Sequence, residues 1–257
     1  MTRSEKDWIF ISDAHFTGRD PESMGGFLRF LNSEKERIGH LVILGDLFEF
    51  FFGFKNFFSA GKSSAFTEYL PVFNELRSLY EEGIQIKYFE GNHDFFLHSF
   101  FSEEFGMEVE VHPNGCEQRL EEYRTFVAHG DLSNPKQWTY RILRRILKNS
   151  LTYRLIHLAG PRISQQVARR WSDMSYQKYH DEEQPAPSPA FRAFAHQKFL
   201  EGFDLVILGH SHYPEKVEEW IDGRRCLYYN AGDWEVHRSY LRFTPPDHFQ
   251  LERYHEG

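Results

Sequence analysis

The chain has 257 residues, of which 40% are hydrophobic and 26% are charged, with a formal net charge of −8. This composition is typical of a soluble globular protein, and no apolar run approaches the roughly 18 residues that span a bilayer. The two cysteines form no spacing motif, so no disulfide framework is expected. The amino-terminal stretch lacks an apolar signal core, which predicts a cytoplasmic location.

The first half of the chain alternates between strand and helix patterns. Strands are predicted at residues 6–11, 40–44 and 84–89, and helices at residues 21–37, 63–82 and 95–101. Three consecutive strands are then expected at residues 107–111, 116–120 and 125–128. This order is typical of a mixed α/β fold with layered sheets.

After residue 131 the pattern changes to helix. We expect residues 132–190 to form a helical cap inserted into a core made of residues 1–131 and 191–257. One helix is predicted to end at Gly160-Pro161, and a second covers residues 162–179 before a proline-containing loop. A helix at 191–201 and a strand at 205–208 return the chain to the sheets. The insert is therefore expected to act as a lid.

The predicted cap is strongly basic. Residues 136–178 contain ten lysines and arginines and one acid, Asp173, whereas the rest of the chain is acidic. Four of the basic residues recur at helical spacing and share one face: Arg141, Arg144, Arg145 and Lys148. This face favours an anionic ligand or surface, although a solvated helix face is the simpler alternative.

Five blocks of aspartate, asparagine and histidine each follow a strand-like run. They are Asp13-Ala14-His15, Gly45-Asp46, Gly91-Asn92-His93-Asp94, His129-Gly130-Asp131 and Gly209-His210-Ser211-His212. Any one block is more often structural than functional, but strand ends of this kind bring their polar groups to one edge of a sheet. Oxygen and nitrogen ligands without thiolates suit manganese, iron or zinc. The blocks together predict a metal-dependent hydrolase.

The five blocks, in this order, resemble the calcineurin-like metallophosphoesterase superfamily. The resemblance implies a β-sandwich flanked by helices, with two metal ions at its edge. It places one ion among Asp13, His15, Asp46 and His212, and the other among Asp46, Asn92, His129 and His210. It gives His93 a catalytic role at the phosphate. We expect Asp94 either to orient His93 or to cap the helix that follows.

Longer stretches resemble the UDP-2,3-diacylglucosamine pyrophosphatase family of lipid A synthesis. They are residues 26–31, 44–49, 92–97, 105–107 and 232–234. The resemblance implies a bacterial enzyme, peripheral on the inner membrane of a Gram-negative cell, that uses Mn²⁺ to release UMP from UDP-2,3-diacylglucosamine. It also implies an aliphatic cap surface for acyl chains, with substrate contacts from Arg170, Ser172 and Lys178. From the basic face we add Arg144 and Arg145 as further candidate substrate contacts.

Other interpretations stay open. The family commonly has arginine where this chain has His93, so a divergent enzyme for another phosphomonoester or phosphodiester is the second interpretation. A non-catalytic scaffold is the third, and the intact ligand positions disfavour it. The aromatic run at residues 48–58 is expected to be either an apolar wall near the site or part of the core. A nucleic-acid partner is not expected, and the sequence leaves the oligomeric state undetermined.

Overall fold

The structure, a computed structural model, describes residues 6–17, 19–54, 66–160, 163–166 and 186–256. These residues include thirteen strands, six α-helices, a short 3-10 helix (Thr67–Tyr69) and a further helical stretch at residues 163–166. The strands up to the predicted cap are β1 (Asp7–Ile11), β2 (Ile38–Ile43), β3 (Phe51–Phe52), β4 (Gln85–Phe89), β5 (Asp94–Phe95), β6 (Glu110–His112), β7 (Cys116–Leu120) and β8 (Tyr123–Val127). Those after it are β9 (Leu205–Leu208), β10 (Glu215–Ile221), β11 (Arg224–Asn230), β12 (Ser239–Thr244) and β13 (His248–Arg253). The helices are α1 (Pro21–Glu34), α2 (Leu70–Glu81), α3 (Leu97–Glu104), α4 (Trp138–Leu147), α5 (residues 150–160) and α6 (Pro189–Leu200).

Two sheets carry the strand ends that matter for the site. The first has the order β13-β12-β1-β2-β4-β6, in which β1, β2, β4 and β6 are parallel. The second has the order β10-β11-β9-β8-β7, in which β8, β9 and β11 are parallel. Parallel neighbours end at the same edge of a sheet. The turns after β1, β2 and β4 therefore lie side by side, as do those after β8 and β9.

The strands of the first sheet are buried on both faces, because successive side chains point to opposite sides. Ile9 and Ile43 pack against α1, α2 and α3, whereas Phe10 and Val42 face the second sheet. The outer face of the second sheet packs against α6. The layers are helices, sheet, sheet and helix, which confirms the predicted α/β class with a layered β-sandwich flanked by helices.

Two predicted helices begin or end differently from expectation. The helix predicted at 95–101 begins at Leu97, because Asp94 and Phe95 pair with β3 as the short parallel strand β5. The helix predicted to run to Gly160 breaks near Asn149, whose side-chain oxygen accepts a hydrogen bond from the Leu151 amide at 2.7 Å. An asparagine in this position starts a new helix, α5.

The predicted cap lies between β8 and β9, which are neighbours in the second sheet. The chain leaves that sheet after β8 and returns to the adjacent strand, as an insertion would. Residues 163–166 are helical, but most of the second predicted cap helix lies outside the described residues. The boundaries 132 and 190 stay a prediction.

The aromatic run after Asp46 belongs to the core over the part that the structure describes. Phe48, Phe51, Phe52 and Phe54 are buried, and their rings lie against Phe73 of α2, Phe100 of α3, Phe95 of β5 and Phe66, respectively. Of the two interpretations of this run, core packing is therefore correct for residues 48–54. Residues 55–58 lie outside the described part of the chain.

Candidate metal centre

The turns after β1, β2 and β9 have unusual backbone conformations. Five of the seven candidate ligands have positive φ angles between 45° and 65°: Asp13, His15, Asp46, His210 and His212. The left-handed region costs a residue with a side chain about 1–2 kcal/mol, although aspartate and histidine enter it more readily than most. Such a concentration of unfavourable backbone is typical of functional sites, where the surrounding fold enforces it.

Asp46 lies at the centre of the cluster. Its Oδ1 accepts a hydrogen bond from the His93 amide at 2.9 Å. Its Oδ2 lies 3.3 Å from His129 Nε2 and 4.0 Å from His15 Nε2. Asp46 therefore faces imidazoles on both sides, as the expected bridging role requires.

On one side of Asp46 are Asp13, His15 and His212. Oδ1 of Asp13 lies 3.8 Å from His15 Nε2 and 3.5 Å from His212 Nε2. The other oxygen, Oδ2, accepts hydrogen bonds from the Ser12 hydroxyl and from the His210 amide at 2.7 Å. Oδ1 of Asp13 and Nε2 of His15 are buried and have no hydrogen-bond partner among the described residues. Buried polar atoms left in this way fit a bound cation.

On the other side are Asn92, His129 and His210. His129 Nε2 lies 3.2 Å from Asn92 Oδ1 and 3.0 Å from His210 Nδ1. His129 Nδ1 donates a hydrogen bond to the Leu44 carbonyl at 2.6 Å, which leaves Nε2 to face the cluster. The ligand atoms of Asp13, Asp46, His129 and His210 all lie within 4.8 Å of one another. All seven predicted ligands are thus brought together, and their donor atoms suit the metals named above.

The electrostatics of the cluster favour added positive charge. Burial opposes a charge on His129, but Asp46 and Asp13 outweigh it and raise its pKa to about 10. Burial and the neighbouring charge of His129 lower the pKa of His210 to about 4. Burial also opposes ionisation of Asp46, yet the surrounding imidazoles hold its pKa well below the ordinary value. A proton on His129 therefore supplies positive charge that divalent cations would supply when bound.

Two glycines let the carboxylates pack directly against the backbone. A Cβ atom on Gly91 would overlap Asp46 Oδ1, and one on Gly209 would overlap the Ser12 hydroxyl and lie 3.0 Å from Asp13 Oδ2. Each glycine precedes a candidate ligand in the sequence. The glycine of these motifs is therefore required by close approach to a carboxylate on a neighbouring turn.

His93 and Asp94 have different hydrogen-bond partners in the structure. His93 Nδ1 donates a hydrogen bond to the Glu49 carbonyl at 2.6 Å, so Nε2 is the ring nitrogen left for a substrate. Asp94 neither caps α3 nor orients His93. Its carboxylate accepts hydrogen bonds from the amides of Leu47 at 2.9 Å and Gly91 at 2.8 Å. It fixes the two turns that carry Asp46 and Asn92, which corrects both expectations for this residue.

The expectation that the whole basic face of α4 meets an anionic ligand or solvent is also corrected. Arg144 donates to Asp131 at 2.5 Å, and Lys148 Nζ lies 3.5 Å from a Glu90 carboxylate oxygen; both basic side chains are largely buried against the core. Arg145 is exposed. Half of the predicted basic face therefore attaches the helix to the core. Arg170, Ser172 and Lys178 lie outside the described residues.

The reasoning from sequence missed three residues beside the cluster. Glu49 Oε2 lies 3.2 Å from His15 Nδ1, and the Asp131 carboxylate accepts a hydrogen bond from Tyr140 at 2.6 Å. The sequence did offer a signal for two of them. Asp131 is the last residue of the block that begins with His129, and Glu49 is the last residue of the stretch 44–49 that contains Asp46. No pattern in the sequence marks Tyr140.

This fold and this cluster are those of a metal-dependent phosphoesterase. Residues 8–214 match the calcineurin-like phosphoesterase family model, and the chain belongs to that family. It is a metal-dependent hydrolase, and the recognised resemblance to the superfamily is confirmed. Within the described residues, no helix has both the length and the apolar character needed to cross a membrane.

Relatives of this chain include UDP-2,3-diacylglucosamine hydrolases from several bacteria. The protein from Tolumonas auensis is 28% identical over 247 residues, covering 93% of this chain and 94% of its own. That from Aromatoleum aromaticum is 27% identical, covering 91% of this chain and 92% of its own. Among solved structures, vacuolar protein sorting 29 from Cryptosporidium parvum is 11% identical, with a TM-score of 0.45 and 98% of each chain covered.

Proposed function

We propose that this phosphoesterase hydrolyses the pyrophosphate of UDP-2,3-diacylglucosamine to UMP and 2,3-diacylglucosamine 1-phosphate in lipid A synthesis. The observation that carries the proposal is the convergence of seven ligand side chains from five strand ends around Asp46. Relatives at 25–28% identity over nearly the whole chain carry the name UDP-2,3-diacylglucosamine hydrolase, which supports this substrate. The site is proposed to hold two Mn²⁺ ions, with Fe or Zn as alternatives.

The bound ions would act as Lewis acids towards the phosphoryl group and lower the pKa of water at the site. Asp13, His15, Asp46 and His212 would hold one ion, and Asp46, Asn92, His129 and His210 the other. His93 would act through Nε2, because its Nδ1 is held by the Glu49 carbonyl. From that nitrogen it would donate a hydrogen bond to the phosphate and a proton to the leaving oxygen.

The amphiphilic character of the proposed substrate matches the outer surface of the predicted cap. Ile142, Ile146 and Leu155 are each more than half exposed, and Leu158 is 84% exposed. An aliphatic surface of this kind on a globular protein marks an interaction site. We propose that it accommodates the acyl chains and meets the cytoplasmic face of the inner membrane. We propose that Arg145, which is exposed on α4, meets an anionic headgroup.

Release of UMP tests the proposal directly. Purified protein with Mn²⁺ and UDP-2,3-diacylglucosamine is expected to form UMP over time, and a chelator is expected to stop it. Asp46→Ala is expected to abolish turnover and reduce metal content, whereas Glu122→Ala, at a side chain that is 98% exposed, is expected to do neither. Cleavage of only an aryl phosphodiester would favour a divergent phosphoesterase. Wild-type activity in Asp46→Ala would refute the site.

A further inference from the structure

Two cationic side chains at the carboxyl end of α4 contact the turns that carry Asn92 and His129. We infer that Arg144 and Lys148 are positioning residues for these two ligands, and that docking of α4 and binding of metal ions at the site stabilise each other. This inference rests on the metal site of the proposed function. It gives the attachment of α4 to the core a role in the geometry of that site.

Asn92 and His129 come from different sheets. Asn92 follows β4 of the first sheet and His129 follows β8 of the second, yet Oδ1 of Asn92 and Nε2 of His129 are 3.2 Å apart. The hydrogen bonds of each sheet fix only the strands of that sheet, so they do not fix the distance between these two turns. Contacts that join the two sheets are therefore needed to hold this part of the site.

Arg144 binds the turn that carries His129. Its Nε donates to the carboxylate of Asp131, two residues after His129, at 2.5 Å. Its Nη1 donates to the Asn114 side chain at 3.0 Å, and its Nη2 donates to the Pro113 carbonyl at 2.8 Å. Pro113 and Asn114 lie in the connection from β6 of the first sheet to β7 of the second. One guanidinium therefore joins the His129 turn to a connection between the two sheets.

Lys148 binds the turn that carries Asn92. Its Nζ donates to the carbonyls of Glu90 and Pro113, each at 3.3 Å, and lies 3.5 Å from a Glu90 carboxylate oxygen. Glu90 comes two residues before Asn92 in the chain. The side chains of Lys148 and Glu90 are 10% and 6% exposed, so water screens their attraction little. The Pro113 carbonyl accepts hydrogen bonds from both cations, so Arg144 and Lys148 hold the two turns to one point.

The two cations therefore connect turns that the site must hold at a fixed separation. If α4 undocks, the contacts that join the turns through Pro113 are lost, and the distance between Asn92 and His129 is less restricted. An ion that binds both ligands is then bound less tightly. Linkage between two binding events is reciprocal, so bound metal favours docked α4 by the same factor.

Calorimetric titration of Mn²⁺ into the metal-free full-length protein is the first test of this inference. Lys148→Met keeps an unbranched apolar side chain and removes the charge that meets the Glu90 turn. This variant is expected to bind Mn²⁺ about 5–10-fold more weakly than the wild type. Arg154→Met, which removes an exposed cation of α5, is the control and is expected to leave the affinity unchanged.

Amide hydrogen exchange of the wild type is a second test that needs no variant. Mn²⁺ is expected to slow exchange in peptides from residues 138–147 by about 5–10-fold. A helix that is only attached to the core would exchange at the same rate with and without Mn²⁺, and Lys148→Met would then keep the wild-type affinity. Either result would overturn the inference, as would equal weakening of Mn²⁺ binding by Arg154→Met. A wild type that binds no Mn²⁺ would instead overturn the proposed metal site.

Discussion

Arg144 attaches α4 to the core, and its removal is expected to release that helix. Its guanidinium donates to Asp131 at 2.5 Å, to the Asn114 side chain at 3.0 Å and to the Pro113 carbonyl at 2.8 Å. The side chains of Arg144 and Asp131 are 11% and 5% exposed. Removing one partner of a buried pair costs about 3–5 kcal/mol, because it leaves an uncompensated charge. Asp131 keeps its hydrogen bond from Tyr140, so the lower end, about 3 kcal/mol, applies to Arg144→Ala.

This loss is expected to appear as local opening of α4 before the two sheets unfold. A cost of about 3 kcal/mol corresponds to amide hydrogen exchange in α4 that is on the order of 100-fold faster. Exchange in β1 and β9 is expected to stay unchanged. Mass spectrometry of peptides from residues 138–147 measures the first effect, and peptides from the sheets measure the second.

Arg145→Ala is the matched control, because it removes the same kind of side chain one residue later on the same helix. Arg145 is exposed, and surface substitutions of this kind change stability by less than about 0.5 kcal/mol. If the two variants exchange at the same rate, Arg144 does not hold α4. The division of the basic face into attached and exposed residues would then be wrong.

Three other substitutions test separate parts of the structure. Gly91→Ala places a methyl group against Asp46 Oδ1, so we expect on the order of 100-fold lower turnover together with reduced metal content by mass spectrometry. Asp94→Asn turns one acceptor into a donor facing backbone amides, and urea unfolding is expected to show a loss of about 2 kcal/mol. Burial and Lys87 lower the pKa of His40 to about 4, so stability is expected to fall by about 1–2 kcal/mol from pH 6.5 towards pH 4. His40→Phe should remove that dependence.

The sign of the His40 effect follows from proton binding. The unfolded chain takes up a proton at this histidine below about pH 6.5, whereas the folded chain resists until about pH 4. Acid therefore favours the unfolded state within that interval. The ring stacks on Trp8 at 3.6 Å, and its Nδ1 has no hydrogen-bond partner among the described residues. Equal pH dependence in the wild type and His40→Phe would contradict this assignment. Undiminished stability of Asp94→Asn would show that the Asp94 carboxylate does not hold the two turns. Full metal content in Gly91→Ala would show that the close approach to Asp46 is not required.

The sequence by itself determined the class of site. Each ligand block follows an apolar run long enough for a buried strand, and parallel strands bring their ends to one edge. Those two facts bring Asp13 and Asp46 together at the edge of one sheet and His129 and His210 together at the edge of the other, and the packing of the two sheets brings the four side chains together. The ligand types followed from the residue names alone, because donor chemistry is a property of the side chain.

Only the tertiary structure decided which way each surface faces. Helical spacing placed Arg144 and Lys148 on one face of α4, but spacing does not reveal what that face meets. Their partners, Asp131 and Glu90, lie on turns after two different strands, and one is 58 residues away in the chain. Glu49 and Asp94 illustrate the same limit, because a carboxylate acquires its role from neighbours that the fold brings within about 3 Å. Such distances depend on how strands and turns pack, and local sequence patterns do not specify them.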